Sequence, residues 1–113
     1  MTNKEILEKA NSAISKGDYE DFMAFCTDDV IWTFVGDQIL RGKEEVRQYM
    51  AKTYLKPPNF SVEIIVAESE FVTAVGKIRV KNKNGQSSDH SYCDIWRFEN
   101  KKMAELTAFV VPG

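Results

Sequence analysis

The sequence predicts an α+β fold, with helices in the first half packed on one face of an antiparallel sheet built mainly by the second half. Two observations lead to this class. Apolar residues recur at helical spacing through most of residues 1–56, whereas residues 60–111 form runs rich in β-branched and aromatic residues. The dipeptide Asn84-Gly85 between two such runs is a strong hairpin signal. Helices followed by a meander favour two packed layers.

The helices are predicted from their ends. Thr2 and Glu5 have the spacing of a capping box, and Gly17 can end the first helix in a left-handed cap. Asp18 is expected to cap a short second helix, and a third follows Gly42 and ends at a Pro-Pro pair. The apolar faces are Ile6, Leu7, Ala10, Ala13 and Ile14 in the first helix, Tyr19, Phe22, Met23, Phe25 and Cys26 in the second, and Val46, Tyr49 and Met50 in the third, with Tyr54 as a further candidate for that face.

The strands are predicted from β-branched and aromatic runs bounded by turn residues. Residues 27–29 (Thr-Asp-Asp) are expected to form a turn before the first strand, and Gly36-Asp37 a turn after it. The expected strands are residues 30–35, 38–41, 60–67, 71–81, 90–98 and 103–111.

Length and composition exclude several classes of protein. The 113 residues are enough for a single domain, residues 1–113, and too few for two. The 15 basic and 17 acidic residues form no basic stripe, so no nucleic-acid partner is expected. No apolar run approaches the roughly 20 residues of a membrane span, and the first residues lack the apolar region of a signal peptide. We therefore expect no membrane partner and a cytoplasmic location.

The reactive side chains predict neither a metal nor a cofactor. Cys26 and Cys93 are the only cysteines and are expected to be reduced thiols. His90 is the only histidine, and no Cys and His cluster has metal-ligand spacing. There is no Gly-rich phosphate loop, and no nucleophile-elbow sequence supports a Ser-His-Asp triad.

One acid, Asp94, stands in the middle of the apolar fifth strand. A two-residue turn at Asn84-Gly85 would pair Lys83 with Gln86 and, counting outward, Val75 with Asp94. Directly opposed residues share a face of a sheet. The predicted face of Asp94 carries Thr73, Val75, Tyr92, Trp96 and Phe98, with Lys77, Arg79 and His90 toward the turn; the opposite face carries Val72, Ala74, Gly76, Ile78, Cys93 and Ile95.

The last hairpin extends this prediction to the sixth strand. A four-residue turn after Phe98 would bring Thr107 beside Asp94 and Glu105 beside Trp96. A bulge would reverse these assignments beyond it, because it shifts the register by one residue.

A mostly apolar face with a few polar groups is typical of a ligand pocket. Burial beside Trp96 and Tyr92 would raise the pKa of Asp94, so that it could act as a neutral donor or as an acid/base. The alternative is an acid that points to solvent or is held in a structural contact by Arg97 or Thr107. The aromatic residues Trp32, Phe34, Tyr49 and Tyr54 are first of all packing residues, although a residue can pack and line a pocket at once.

His90 is a weaker candidate for the same site. It shares the predicted face with Asp94, but four residues of strand span roughly 13 Å. Only a water molecule, a substrate or strong curvature could link the two side chains. The alternative is a solvated histidine near the hairpin turn.

Four motifs, in their order and spacing, resemble the nuclear transport factor 2-like superfamily and, within it, the SnoaL-like group of polyketide cyclases and ketosteroid isomerases. They are Ser-Lys-Gly-Asp-Tyr at 15–19, Phe-Cys-Thr-Asp-Asp-Val at 25–30, Arg-Gly-Lys-Glu-Glu-Val at 41–46 and Cys-Asp-Ile-Trp-Arg-Phe at 93–98. The resemblance covers nearly the whole chain. It implies a cone-shaped fold in which three N-terminal helices pack on a strongly curved antiparallel sheet, a pocket at one end, and a homodimer through the outer sheet face.

The resemblance bears on individual residues. The isomerases carry an acid in the penultimate strand that donates a hydrogen bond to an oxyanion, and Asp94 stands at the matching position. Their oxyanion tyrosine aligns near Ala10 and their general base near Thr33 or Phe34, none of which can exchange a proton at neutral pH. The isomerase mechanism itself is therefore not expected, and the superfamily includes non-enzymes as well as enzymes.

The sequence thus predicts a small apolar or aromatic ligand in a cone pocket. One hypothesis is a cofactor-independent isomerase, lyase or cyclase with the catalytic residues Asp94 and His90. The alternatives are a non-catalytic ligand-binding protein and a dimeric interaction module. The expected ligand-binding residues are Trp32, Phe34, Tyr49, Tyr92, Trp96, Glu105 and Thr107, and no metal ligand is expected.

Overall fold

The computed structural model describes residues 1–81 and 84–113, and within them the predicted α+β class is confirmed. The helices are α1 (Asn3–Lys16), α2 (Tyr19–Met23) and α3 (Gly42–Thr53). The strands are β1 (Cys26–Phe34), β2 (Gln38–Arg41), β3 (Asn59–Glu68), β4 (Phe71–Lys81), β5 (Ser87–Glu99) and β6 (Lys102–Pro112). No helix in these described ranges is long and apolar enough to cross a membrane.

The ends of α1 follow the sequence signals. The backbone N–H of Glu5 donates to the Thr2 hydroxyl and the Glu5 carboxylate accepts from the Thr2 backbone, which confirms the capping box. Gly17 ends the helix at φ +80°, a left-handed conformation that glycine adopts without strain. Asp18 does precede α2, but its side chain makes no capping hydrogen bond.

The six strands form one sheet in the order β2-β1-β6-β5-β4-β3. All neighbouring pairs are antiparallel except β1 and β6, which run parallel, so the sheet is mixed rather than wholly antiparallel. The strand β1 begins at Cys26, and residues 27–29, predicted to be a turn, lie within it. A register shift between Cys26 and Ile31 accommodates them.

The predicted register of the β4–β5 hairpin is wrong by one residue. Asp94 pairs with Ala74 rather than Val75, and the last described pair before the turn is Lys81 with Ser87. Five residues, 82–86, separate that pair, whereas the prediction placed only two residues between paired strands. Lys83, predicted to pair with Gln86, lies outside the described residues. A shift of one residue exchanges the two faces of β4 relative to β5.

The β5–β6 hairpin begins in the predicted register but turns in two residues rather than four, and a further difference arises beyond the turn. Phe98 pairs with Met103, and the two residues between the strand ends, Asn100 and Lys101, both have positive φ. This is the backbone of a type I′ hairpin turn. The register then shifts by one residue between Arg97 and Phe98. This shift is a bulge of the kind that, as noted above, reverses the predicted assignments beyond it.

That bulge moves two predicted pocket residues to the other face. Asp94 pairs with Ala108 rather than Thr107, and Trp96 pairs with Leu106 rather than Glu105. The prediction of Thr107 and Glu105 beside Asp94 is therefore wrong.

The sheet has an inner face toward the helices and an outer face away from them. The core lies between the inner face and the helices, and includes Leu7, Phe22, Met23, Val30, Trp32, Val46, Met50, Val72, Trp96, Phe98 and Met103. Gly76 marks a close approach on the inner face, because a Cβ there would overlap the carbonyl oxygen of Ser61 on β3. The register of β3 and β4 shifts between Val62 and Ile64, next to this approach.

Candidate ligand pocket

A cavity of about 110 Å³ lies between the inner face and the helices. Its walls come from α1, α2, the segment that follows α3, and strands β1, β3, β4, β5 and β6. The lining residues are Asn11, Ile14, Phe22, Trp32, Phe34, Tyr54, Pro58, Phe60, Ala74, Ile78, Tyr92, Asp94, Trp96, Leu106, Ala108 and Val110. Seven of these sixteen are aromatic, so the cavity has the mostly apolar lining of a small-molecule site.

Two wider depressions lie on the surface. One, of about 400 Å³, includes Glu20 and Arg47, which form an exposed ion pair. The other, of about 500 Å³, includes Arg79 and Asp89, which form another. Charged groups that are already paired in water offer little to a ligand. The aromatic cavity is therefore the better candidate site.

Asp94 reaches the cavity because its cross-strand neighbours are small. On the inner face it lies between Ala74 of β4 and Ala108 of β6. Both alanines line the cavity, as do Tyr92 and Trp96, the next inner-face residues along β5. Two methyl side chains flanking a carboxyl leave room that two larger residues would fill. The sequence prediction that Asp94 shares a face with Tyr92 and Trp96 is thus confirmed.

The Asp94 side chain is partly buried at the cavity wall and has no hydrogen-bond partner among residues 1–81 and 84–113. Desolvation disfavours the ionised form and raises the pKa of Asp94 from 3.8 to about 7. The group can therefore exist as acid or as carboxylate at neutral pH.

Two phenols stand in the electrostatic field of Asp94. Tyr92 donates its hydroxyl proton to the Ser61 carbonyl over 2.9 Å. Burial raises the pKa of Tyr92 to about 12, with smaller contributions from Asp94 and Glu63. Burial also raises the pKa of Tyr54, and the charges of Tyr49 and Asp94 act in the same direction. Both phenols stay protonated at neutral pH, so they can donate hydrogen bonds but do not change charge there.

The aromatic residues pack around Trp32. Its ring lies 6.0 Å from Trp96, 6.1 Å from Phe34 and 6.2 Å from Tyr49 between centroids, all in edge-to-face geometry. Trp32, Phe34 and Trp96 line the cavity, whereas Tyr49 lies behind them as a packing residue. Contact of these residues with a ligand stays a prediction. Tyr49 packs against Tyr54, with 5.9 Å between centroids, and Tyr54 does line the cavity.

Three predicted site residues lie elsewhere. Glu105 is on the outer face, where its Oε1 accepts from Arg97 Nε over 2.6 Å. Thr107 pairs with Ile95 and Thr33 on the same outer face. His90 is partly exposed, its Nδ1 lies 3.4 Å from the Ser88 carbonyl, and it does not line the cavity.

Asn11 and Tyr54 line the cavity but were not among the predicted site residues. Asn11 stands three residues before Ile14, so the helical period places both on one face of α1. This spacing could have identified Asn11 in the sequence. Tyr54 directly follows α3; the sequence made it a candidate for packing on the apolar face of that helix and did not assign it to the ligand site.

The described ranges bring no group of three or more His, Cys, Asp or Glu side chains together as potential metal ligands. Both cysteines are free thiols. Cys26 is buried, which raises its pKa to about 12 and keeps it protonated.

The chain matches a known protein family over most of its length. The family described as "SnoaL-like domain" matches residues 7–106. No curated protein matches the chain.

Comparison with solved structures gives high similarity in fold at low sequence identity. An NTF2-like protein of unknown function from Cytophaga hutchinsonii ATCC 33406 has a TM-score of 0.79 and 24% identity, over 97% of this chain and 100% of that one. A putative SnoaL-like polyketide cyclase from Jannaschia sp. CCS1 has a TM-score of 0.84 and 15% identity, over 96% and 84%. The epoxide hydrolase/cyclase-like enzyme SalBIII has a TM-score of 0.86 and 15% identity, over 98% and 95%.

Proposed function

Because this chain belongs to the SnoaL-like domain family, we propose that its cavity binds a small apolar or aromatic molecule and that Asp94 acts on it as an acid or base. The single observation that supports this most is a partly buried, unpartnered carboxyl at the wall of an aromatic cavity. A desolvated carboxyl without a partner lowers stability, and carboxyls with strongly perturbed pKa values cluster at functional sites.

The chemistry open to Asp94 follows from its pKa of about 7. The acid form can protonate, or donate a hydrogen bond to, a carbonyl, hydroxyl or epoxide oxygen, and the carboxylate can accept a proton from carbon or water. Asn11 and Tyr54 offer further hydrogen bonds to a ligand. We assign the reaction to the cofactor-independent isomerase, lyase or cyclase class, as in the SalBIII and Jannaschia structures named as cyclases.

Proton exchange at carbon tests this proposal without knowledge of the natural substrate. Cyclohexanone, a single-ring ketone, is incubated with the protein in D₂O at pD near 7, and deuterium uptake beside the carbonyl is followed by NMR. We expect the wild-type protein to accelerate exchange and Asp94→Asn to lose that acceleration about 100-fold or more, as for removal of a general acid/base. Glu105→Gln, the same chemical change on the outer face, is the matched control.

The outcomes separate the hypotheses. If Asp94→Asn exchanges deuterium as fast as the wild type, Asp94 is not the catalytic group. If cyclohexanone binds, as shown by saturable quenching of tryptophan fluorescence, but no variant accelerates exchange, the non-catalytic binding alternative is favoured. One observation supports that alternative: His90, the second predicted catalytic residue, lies outside the cavity lining.

We also propose that the protein forms a homodimer through the outer face. The outer face of the sheet carries several exposed apolar side chains. Ile64 and Val66 of β3 are 55% and 58% exposed, and Phe109 of β6 is 42% exposed. An exposed apolar surface of this kind marks an interaction site, and a second copy of the same face is complementary to it. Val66→Glu is expected to shift the mass measured by light scattering from dimer to monomer. A monomeric wild-type protein would contradict the proposal.

A further inference from the structure

We infer that the ligand of the cavity is a small organic cation, a single ring or short chain bearing a protonated amine, which binds with its charge against the Asp94 carboxylate. This inference rests on the proposal that the cavity binds a small molecule. It adds the charge and the size of that molecule.

The described residues of the cavity wall include an acidic side chain and no basic one. Asp94 is the only lining residue that carries a charge at neutral pH, and none of the sixteen lining residues is Lys, Arg or His. Its carboxyl has neither an ion-pair partner nor a hydrogen-bond donor within the described residues. A desolvated carboxylate without a counter-ion is unfavourable. A ligand cation would supply the partner that the chain itself does not provide.

The remaining wall suits a cation as well. Seven aromatic residues line the cavity, including the two tryptophans Trp32 and Trp96. The negative potential of an aromatic face attracts ammonium groups, most strongly at tryptophan, and desolvation strengthens the attraction. Aromatic walls around one carboxylate therefore favour an ammonium ion over a neutral group of the same shape. An anion of that shape would be repelled by Asp94 and would find no cationic side chain.

The volume limits the size of the ligand. The cavity measures about 110 Å³. Sites for drug-sized ligands are about 300–1,000 Å³, whereas an apolar cavity of about 150 Å³ in another protein holds benzene. At about 110 Å³ a single ring already fills the cavity. A one-carbon amine arm therefore needs a small outward movement of the walls, and a fused polycyclic ligand a large one.

Proton release accompanies such binding. A cation beside Asp94 stabilises its carboxylate and lowers its pKa, so near pH 7 the group loses its proton on binding. The other titratable groups of the wall are Tyr54, which follows α3, and Tyr92 of β5, and both remain protonated. The residues contributed by α1, α2, β1, β3, β4 and β6 do not titrate.

Three molecules of one shape test the inference: benzylamine, benzyl alcohol and benzoate. Each is titrated into the full chain at pH 7 by calorimetry, in two buffers of different ionisation enthalpy. We expect benzylamine to bind at least tenfold more tightly than benzyl alcohol, with proton release visible as a buffer-dependent heat, and benzoate not to bind. Asp94→Asn is expected to reduce the preference for benzylamine to about onefold, whereas Glu105→Gln keeps it.

Any other result contradicts either the cationic ligand, the proposed binding function or the role of Asp94 as counter-ion. Equal affinity for benzylamine and benzyl alcohol would refute the cation and leave the proposed binding function standing. Failure of all three probes to bind would refute both. A preference for benzylamine that persists in Asp94→Asn, or that occurs without proton release from the wild-type protein, would show that Asp94 is not the counter-ion.

Discussion

An acidic residue on the outer face of the sheet and one on the inner face differ in solvent exposure and in ion pairing. Glu105 of β6 points outward, is partly exposed and pairs with Arg97 over 2.6 Å. Asp94 of the neighbouring strand β5 points inward, lies among aromatic residues and has no partner in the described part of the chain. Both acids belong to strands in which buried and more exposed side chains alternate. Their different behaviour shows that the face on which a carboxyl lies, more than its local sequence, decides its chemistry.

The physical difference is the loss of water. The Arg97–Glu105 pair keeps solvent contact, with side chains 30% and 46% exposed, so water screens its attraction and its removal costs little. Asp94 has exchanged water for aromatic and alkyl groups, which do not solvate a negative charge. Four substitutions test this contrast, in order of decreasing expected effect.

The largest effect is expected in the pH dependence of stability. The raised pKa of Asp94 means that between pH 4 and 7 the folded protein holds a proton that the unfolded chain has lost. The contribution of this group to stability is therefore full below pH 4 and falls as pH rises to about 7. At about 1.4 kcal/mol per pKa unit, the change from 3.8 to about 7 corresponds to about 4 kcal/mol.

Asp94→Asn removes this dependence, because an amide does not ionise. Urea unfolding at several pH values should show the variant equal to the wild type near pH 4 and more stable by about 4 kcal/mol at pH 8. Exposed carboxylates such as Glu20 and Asp89 have lowered pKa values and act in the opposite direction, but they are common to both proteins. A difference between variant and wild type that is independent of pH would contradict the desolvation of Asp94.

Gly76→Ala tests the close approach on the inner face. The new methyl group would overlap the Ser61 carbonyl and lie 2.9 Å from the Tyr92 hydroxyl, so the backbone of β3 must move. We expect a loss of about 3 kcal/mol, measured by thermal or urea unfolding. Val75→Ala, at the next position on the outer face, is the control and should cost less. Equal costs at the two positions would show that the inner face is no more tightly packed.

Tyr92→Phe isolates one hydrogen bond on the inner face. The variant keeps the ring and loses the donor to the Ser61 carbonyl, for which we expect a cost of about 1 kcal/mol in the free energy of unfolding. An unchanged free energy of unfolding would mean that water replaces the lost donor.

Glu105→Gln should have the smallest effect. It breaks an exposed ion pair, which is worth less than about 1 kcal/mol, and 0.5 M NaCl should reduce the difference further. Because Glu105 faces away from the cavity, cyclohexanone and benzylamine binding should not change. An effect on binding comparable with that of Asp94→Asn would contradict the assignment of Glu105 to the outer face.

Local signals predicted the elements well. The capping box at Thr2, the left-handed Gly17 and the strand Phe71–Lys81 are present as predicted, because each depends on residues close in sequence. Trp32, Phe34, Tyr92 and Trp96 all line the cavity, since strand alternation within β1 and β5 is a local property, and their role as ligand contacts stays a prediction. The membership of these residues in one cavity was inferred from the family resemblance.

Pairing between strands could not be predicted with the same success. The β4–β5 register differs by one residue from the predicted one, and the bulge at Arg97 shifts β6 by one residue. Neither feature has an unambiguous sequence signal. Because side chains alternate along a strand, each one-residue shift changes which residues accompany Asp94. Glu105 and Thr107 were assigned to the wrong face for this reason.

The sequence alone determined that a strand of aromatic character carries an acid, and that Asp94, Tyr92 and Trp96 share one face of it. Tertiary structure alone decided that Ala74 and Ala108 flank this acid, that Asn11 and Tyr54 line the same cavity, and that no Lys, Arg or His is among its described lining residues. The physical reason is that alternation along one strand is set by covalent geometry, whereas the partners across strands depend on registers and contacts between distant segments.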